Sequence, residues 1–164
     1  MNPCLRLLAL VFAVGVMCAW VVLVPGPVRA HPLGWRWPLG TVALERGYLA
    51  PAHQFGPGHR GIDLHARSAD RLSSPAAGVV SFVGLVAQVP VVSIDHGGGW
   101  VSSYEPATSV VPVGEAVRAG QVFGAVGQPI AHCSCLHFGV RFNGEYVSPL
   151  LLVGEIPAAV LLPW

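Results

Sequence analysis

"GVVSFVGLVAQVPVVSIDHGGGWVSSYEP", Gly78 to Pro106, decides the fold class. Its apolar, β-branched segments, Val79 to Val83, Val89 to Ile94 and Trp100 to Tyr104, are short and separated by turn residues. Segments of that length and composition form strands rather than helices. "DHGGG", Asp95 to Gly99, predicts a hairpin between the second and third, because glycine accepts the positive φ that tight hairpins need. Downstream, "VPVGEAVRAGQVFGAVG", Val111 to Gly127, alternates short Val-rich pieces with Gly-centred turns. Leu136 to Phe142 reads as the last long strand, and Asn143-Gly144 turns it into Tyr146-Val147. No amphipathic helical stretch of normal length follows Thr41, so the expected class is all-β with an antiparallel core.

Upstream the composition changes. Leu7 to Val24 is an almost unbroken apolar run behind Arg6, and "GPVRA", Gly26 to Ala30, offers small residues suited to signal-peptidase cleavage. Residues 1–30 are therefore expected to be a signal peptide; a run of about 18 apolar residues is also long enough to act as an uncleaved anchor. Either reading places His31 onward outside the cytoplasm, secreted or in the cell envelope. Removing the leader leaves about 134 residues, which suits one domain. The Pro- and Trp-rich segment 31–54 is expected to pack on that domain as a lead-in, and 153–164 to form a C-terminal tail.

The chain of 164 residues has a formal net charge of +1. All its cations are arginines, and they form no basic run, so nucleic acid is not an expected partner. Membrane association is expected only through the N-terminal segment. Cys4 and Cys18 lie in the leader, which leaves Cys133 and Cys135 as an exported pair that would meet oxidising conditions.

Polar chemistry concentrates in "GHRGIDLH", Gly58 to His65. In an extended strand His59 and Asp63 would lie about 13 Å apart, too far to share an ion. Gly58 and Gly61 allow the backbone to curl and bring imidazole and carboxylate to one point. Both are zinc ligands, but a site needs a third, and on spacing alone a hydrogen-bonded turn pair is the better account of them. A third candidate stands in "HCSCLHFGVRFNGEYVSPL", His132 to Leu150. Cys135 and His137 have the same parity on the expected strand, so their side chains share one face about 7 Å apart. His137 alone is also compatible with an ordinary half-buried strand histidine.

Taken together, "GHRGIDL", "VRAGQVFGAVG" and "LHFGVRFNGEYVSPL" resemble, in order and spacing, the M23 or LytM-like peptidoglycan metallopeptidases. The resemblance runs from about Phe55 to Leu152. It implies a LytM-like zinc β-domain over 55–152, an antiparallel sheet with one zinc ion in a groove, and it matches His59, Asp63 and His137 to the family's three metal ligands. It further implies that a water held at zinc attacks a peptide bond of the cell wall, through Lewis-acid polarisation and a lowered water pKa.

Two departures accompany the match. The family usually carries His-x-His in the last motif, and here the first position is Cys135. It also usually carries Tyr-x-His, and here Tyr104 is followed by Glu105 and Pro106. Both assisting imidazoles are absent, a loss of the kind worth about 10²–10⁴ in proton transfer and about 10²–10³ in oxyanion stabilisation. Candidate substitutes are Glu105 as general base and Tyr104 as an oxyanion donor, with His132 or His96 folding toward the groove; structural roles are the alternatives for Glu105, His96 and His65. Cys135 is open to three readings: a disulfide with Cys133, a fourth zinc ligand that closes the site, or a free thiol.

The functional expectation is an exported zinc metalloendopeptidase acting on peptidoglycan peptides. The alternative is a degenerate, non-hydrolytic LytM-like domain that binds such peptides or regulates a partner hydrolase. A metal-free structural β-domain is third, because it leaves the co-occurrence of the two motifs without a reason.

Overall fold

The three apolar segments form the centre of one antiparallel sheet. In the computed structural model, which describes residues 34–128 and 135–154, they become β4 (Gly78–Val86), β5 (Val89–Gly97) and β6 (Trp100–Glu105). Gly97, Gly98 and Gly99 all have positive φ, which makes the expected hairpin between β5 and β6. Ala87 and Gln88 also have positive φ at the tight β4–β5 turn, a turn the sequence does not announce with glycine or asparagine.

Around these strands lie β1 (Leu44–Arg46), β2 (Ile62–His65), β8 (Ala116–Val117), β10 (Cys135–Phe142) and β11 (Glu145–Val147). The eight-stranded sheet runs β1-β2-β10-β6-β5-β4-β8, with β11 paired to β10. Asn143 and Gly144 have φ of 49° and 88°, so the Asn-Gly turn between β10 and β11 is as expected. A smaller sheet, β3 (Arg71–Ser73), β9 (Val122–Val126) and β7 (Ala107–Ser109), packs with it. The helical structure among the described residues is one 3-10 turn, Pro149–Leu151, so the class is all-β as read from the strand pattern.

Strand parity divides the large sheet into two faces. Leu136, Phe138 and Val140 of β10, Ile62 and Leu64 of β2 and Tyr104 of β6 are all buried and point into the core between the sheets. His137, Asp63 and Glu105 have the opposite parity. The lead-in joins the same core: Trp35 and Leu39 are buried in it, and the Trp35 backbone N–H donates to the Leu152 carbonyl at 3.1 Å. Residues 1–30 and 155–164 lie outside the described residues, and among those described no helix is long and apolar enough to cross a membrane.

One polar chain runs through this core. The Tyr104 hydroxyl donates to Ser102 Oγ at 2.8 Å, Ser102 Oγ meets His96 Nε2 at 2.7 Å, and His96 Nδ1 meets the Ala77 carbonyl at 3.0 Å. Because the Ala77 carbonyl only accepts, His96 Nδ1 carries the proton; the Ser102 hydroxyl then donates to Nε2, and every member is satisfied with a neutral imidazole. Burial is the main cause holding the His96 pKa below its ordinary value, against smaller opposing effects from the Ala77 carbonyl and Asp95. The unfolded chain therefore protonates His96 first. Its neutral form is compatible with full stability above about pH 6.5, and stability is lost as pH falls below that value by up to about 1.4 kcal/mol per pH unit. Urea unfolding of wild type and His96→Gln between pH 7.5 and 5 checks this: the wild type should lose more stability than the variant.

Candidate metal centre

β10 lies between β2 and β6 and brings the two motifs together. His137 is in direct register with Asp63 on one side and with Glu105 on the other, so all three project from the same face. His59 reaches them from an isolated bridge with Leu49, and residues 60–61 bend the chain before β2. Neither Gly58 nor Gly61 has positive φ. What both provide is close approach: a Cβ on Gly61 would lie 2.5 Å from the Phe138 carbonyl and 2.6 Å from His137 Nε2, and one on Gly58 would lie 2.7 Å from the Leu49 carbonyl.

His59 Nε2, Asp63 Oδ1 and His137 Nδ1 converge. His59 to Asp63 is 3.0 Å, His59 to His137 3.1 Å and His137 to Asp63 2.7 Å. His59 Nδ1 faces the Gly47 carbonyl at 2.6 Å and so donates its proton there. That contact leaves the Nε2 lone pair aimed at the Asp63 carboxylate, an approach of two acceptors that is favourable only with a cation or an extra proton between them. Three donor atoms around a tetrahedral ion at 2.0–2.1 Å would be spaced about 3.4 Å, slightly wider than observed. Small side-chain rotations would admit the ion. The Gly47 contact also supplies the outer hydrogen bond that fixes a ligating imidazole. The residues present fit a zinc ion, with two nitrogens and one carboxylate as its donors.

The centre is partly exposed. Side-chain exposure rises from 9% for His59 to 17% for Asp63 and 24% for His137. His137 and Glu105 line a groove of about 530 Å³ that continues over β10, β6, β5 and β4. Gly139, Ser103 and Ser93 keep its floor low; Phe82, Val86 and Val91 form an apolar wall on the other side.

The assistants inferred from sequence are distributed differently. Glu105 stands in the groove beside His137. Tyr104 does not: its side chain is fully buried on the core face, its ring centroid is 5.4 Å from that of Phe138, and its hydroxyl is used by Ser102. Neighbouring strand residues point to opposite faces, so Glu105 and Tyr104 cannot both serve the groove. An oxyanion role for Tyr104 is therefore corrected to a core role, with burial pushing its phenol pKa up so that it remains a donor. His96 is likewise a core residue, and His65 pairs at the surface with Glu45 at 2.8 Å. Cys135 is disulfide-bonded, which removes the fourth-ligand and free-thiol readings. The pairing with Cys133 and the placement of His132 lie outside the described residues.

Sequence reading passed over Arg60, Arg141 and Tyr146, which line the same groove. Parity carried a signal for one of them: Arg141 is four residues beyond His137 and therefore on its face.

Comparisons with known proteins bear on the domain as a whole. The model of peptidase family M23 matches residues 57–149. An uncharacterized protein of Mycobacterium tuberculosis is 36% identical over 150 residues, covering 87% of this chain and 60% of its own length. The murein hydrolase activator NlpD of Escherichia coli is 29% identical over 119 residues, covering 71% of this chain and 30% of its own. The chain thus spans about 60% or less of these curated relatives. Among solved structures, Helicobacter pylori Csd3 superposes with a TM-score of 0.57 and 28% identity, over 77% of this chain and 34% of that one.

Proposed function

We propose, from the premise that this chain belongs to peptidase family M23, that it is an extracytoplasmic zinc metalloendopeptidase that cuts peptide bonds in peptidoglycan. The observation that carries the reading is the convergence of His59 Nε2, Asp63 Oδ1 and His137 Nδ1 beside a groove that His137 itself lines. These residues would hold one zinc ion, whose contribution when bound is Lewis acidity toward a carbonyl and a lowered water pKa. His59 keeps its ligating nitrogen free of a proton by donating from Nδ1 to Gly47. Glu105, in register with His137, is the groove carboxylate positioned to accept a proton from an attacking water and return it to the leaving amine.

Glu105→Gln tests that role. Turnover is expected to fall by about 10²–10⁴ with zinc content unchanged. Tyr104→Phe is expected to leave turnover intact and to lower stability by about 1 kcal/mol, the value of one buried hydrogen bond. Unchanged hydrolysis in Glu105→Gln would remove it from the mechanism.

A second reading is supported by the oxidised state of Cys135, the core position of Tyr104 and the relation to NlpD, whose name is murein hydrolase activator. In it the groove binds wall peptides or regulates a separate hydrolase without cutting. Incubating the zinc-loaded protein with purified peptidoglycan and measuring new free amines separates the two. Release above that of an Asp63→Ala control supports the enzyme; release equal to the control, with stoichiometric zinc in the wild type, assigns the regulatory role.

A further inference from the structure

Arg141 and Tyr146 are direct cross-strand partners on β10 and β11, on the face that carries His137. β2 and β11 follow one another along the same edge of β10, so Arg60, just before β2, arrives at the same ring. The two guanidinium carbons stand 6.0 Å and 5.8 Å from the Tyr146 ring centroid, at the outer range of cation–π contact. Arg60 is held by the Gln54 and Gly56 carbonyls at 2.7 and 3.1 Å, and Tyr146 by its own carbonyl, which accepts from the Tyr48 hydroxyl at 2.9 Å. All of these partners are neutral. Among the described residues no carboxylate pairs with Arg60 or Arg141, so two cations line this groove without local compensation.

The groove is therefore polarised along β10. Glu105 lies at the level of His137, and Arg141 lies four residues away, about 13 Å in an extended strand. Gly139 and Ser103, paired between them, keep the intervening floor free of large side chains. A guanidinium recognises a carboxylate through paired N–H donors, and an aromatic face beneath it holds the plane in place.

We infer that Arg141, with Arg60 and Tyr146, forms a carboxylate-binding subsite that selects wall peptides bearing a free carboxylate about four residues from the bond held at His137. The inference rests on the reading of the groove as a peptide site and adds its orientation: carboxylate toward Arg141, away from Glu105. Arg141 is a specificity residue with no part in the chemistry at His137.

The test uses the purified full chain, zinc-loaded, and one synthetic stem peptide in three forms: both carboxylates free, the C-terminal one amidated, or the side-chain one amidated. Calorimetry is expected to give about tenfold weaker binding when the recognised carboxylate is amidated, with the other amidation neutral; which form weakens identifies the source. Arg141→Gln should bind all three forms alike, Arg141→Lys should restore part of the preference, and the preference should shrink with added salt. If the peptide is cleaved, Arg141→Gln should raise KM and leave kcat. Equal affinity of wild type for all three forms overturns the subsite but leaves the peptide groove intact; absence of binding by every form overturns the groove reading as well.

Discussion

Asp63→Ala is expected to lower zinc affinity by more than about 100-fold, since loss of an outer partner of a ligand already costs 10- to 100-fold. The reason lies in the connectivity of the centre: Asp63 Oδ1 is 3.0 Å from His59 and 2.7 Å from His137, so it is the atom on which both imidazoles converge. Without it two neutral nitrogens remain, with no negative charge to offset the ion. Wild type should carry one zinc per chain after dialysis, and zinc at 100 times its dissociation constant should add about 2.7 kcal/mol of stability. The variant should lose both while keeping the wild-type circular dichroism. Metal analysis and thermal unfolding with and without zinc are the measurements. Stoichiometric zinc in Asp63→Ala would sink the assignment of the centre.

Gly61→Ala is the second large effect, and it acts through space rather than chemistry. The added methyl would meet the Phe138 carbonyl at 2.5 Å and the His137 ring at 2.6–2.7 Å. The carbonyl belongs to β10, the central partner of β2, and Ile62 is paired with Phe138 in register. Relief requires the start of β2 to move away from β10, and the His137 ring to turn off its present line to Asp63. Overpacking of this kind is expected to destabilise by about 1–3 kcal/mol. Zinc affinity should fall as well. Gly40→Ala, where an added methyl meets nothing within 4 Å, serves as the control and should be close to neutral. Urea unfolding and zinc titration of both variants decide it: equal behaviour of the two would remove the close-contact account of "GHRG".

Much of the fold was legible because its signals are local. The β-branched runs of Val79 to Val83, Val89 to Ile94 and Trp100 to Tyr104, the glycines at 97–99 and Asn143-Gly144 specify strands and turns from neighbouring residues alone. The small sheet of β3, β9 and β7 was not legible, since three- to five-residue strands with long and unequal intervals between them leave no pattern that names their partners. The β4–β5 turn was missed for another reason: Ala87 and Gln88 take positive φ where the hairpin demands it, although their side chains do not favour it.

The site divides in the same way. Residue type and order in "GHRGIDL" and "LHFGV" point to His59, Asp63 and His137, through family resemblance more than through spacing. The roles of their neighbours depend on which face each side chain occupies. Tyr104 and Glu105 are adjacent, and only the register of β6 with β10 sends Glu105 to the groove and Tyr104 to the core. Arg60, Arg141 and Tyr146 come from three separate segments and meet because β2 and β11 share one edge of β10. Sequence alone thus determined the strand inventory, the all-β class and the metal-ligand candidates, all set by composition and order over short distances. Tertiary structure decided which polar residues share the groove, because a side chain's face is set by strand register, and register is set by the packing of distant strands.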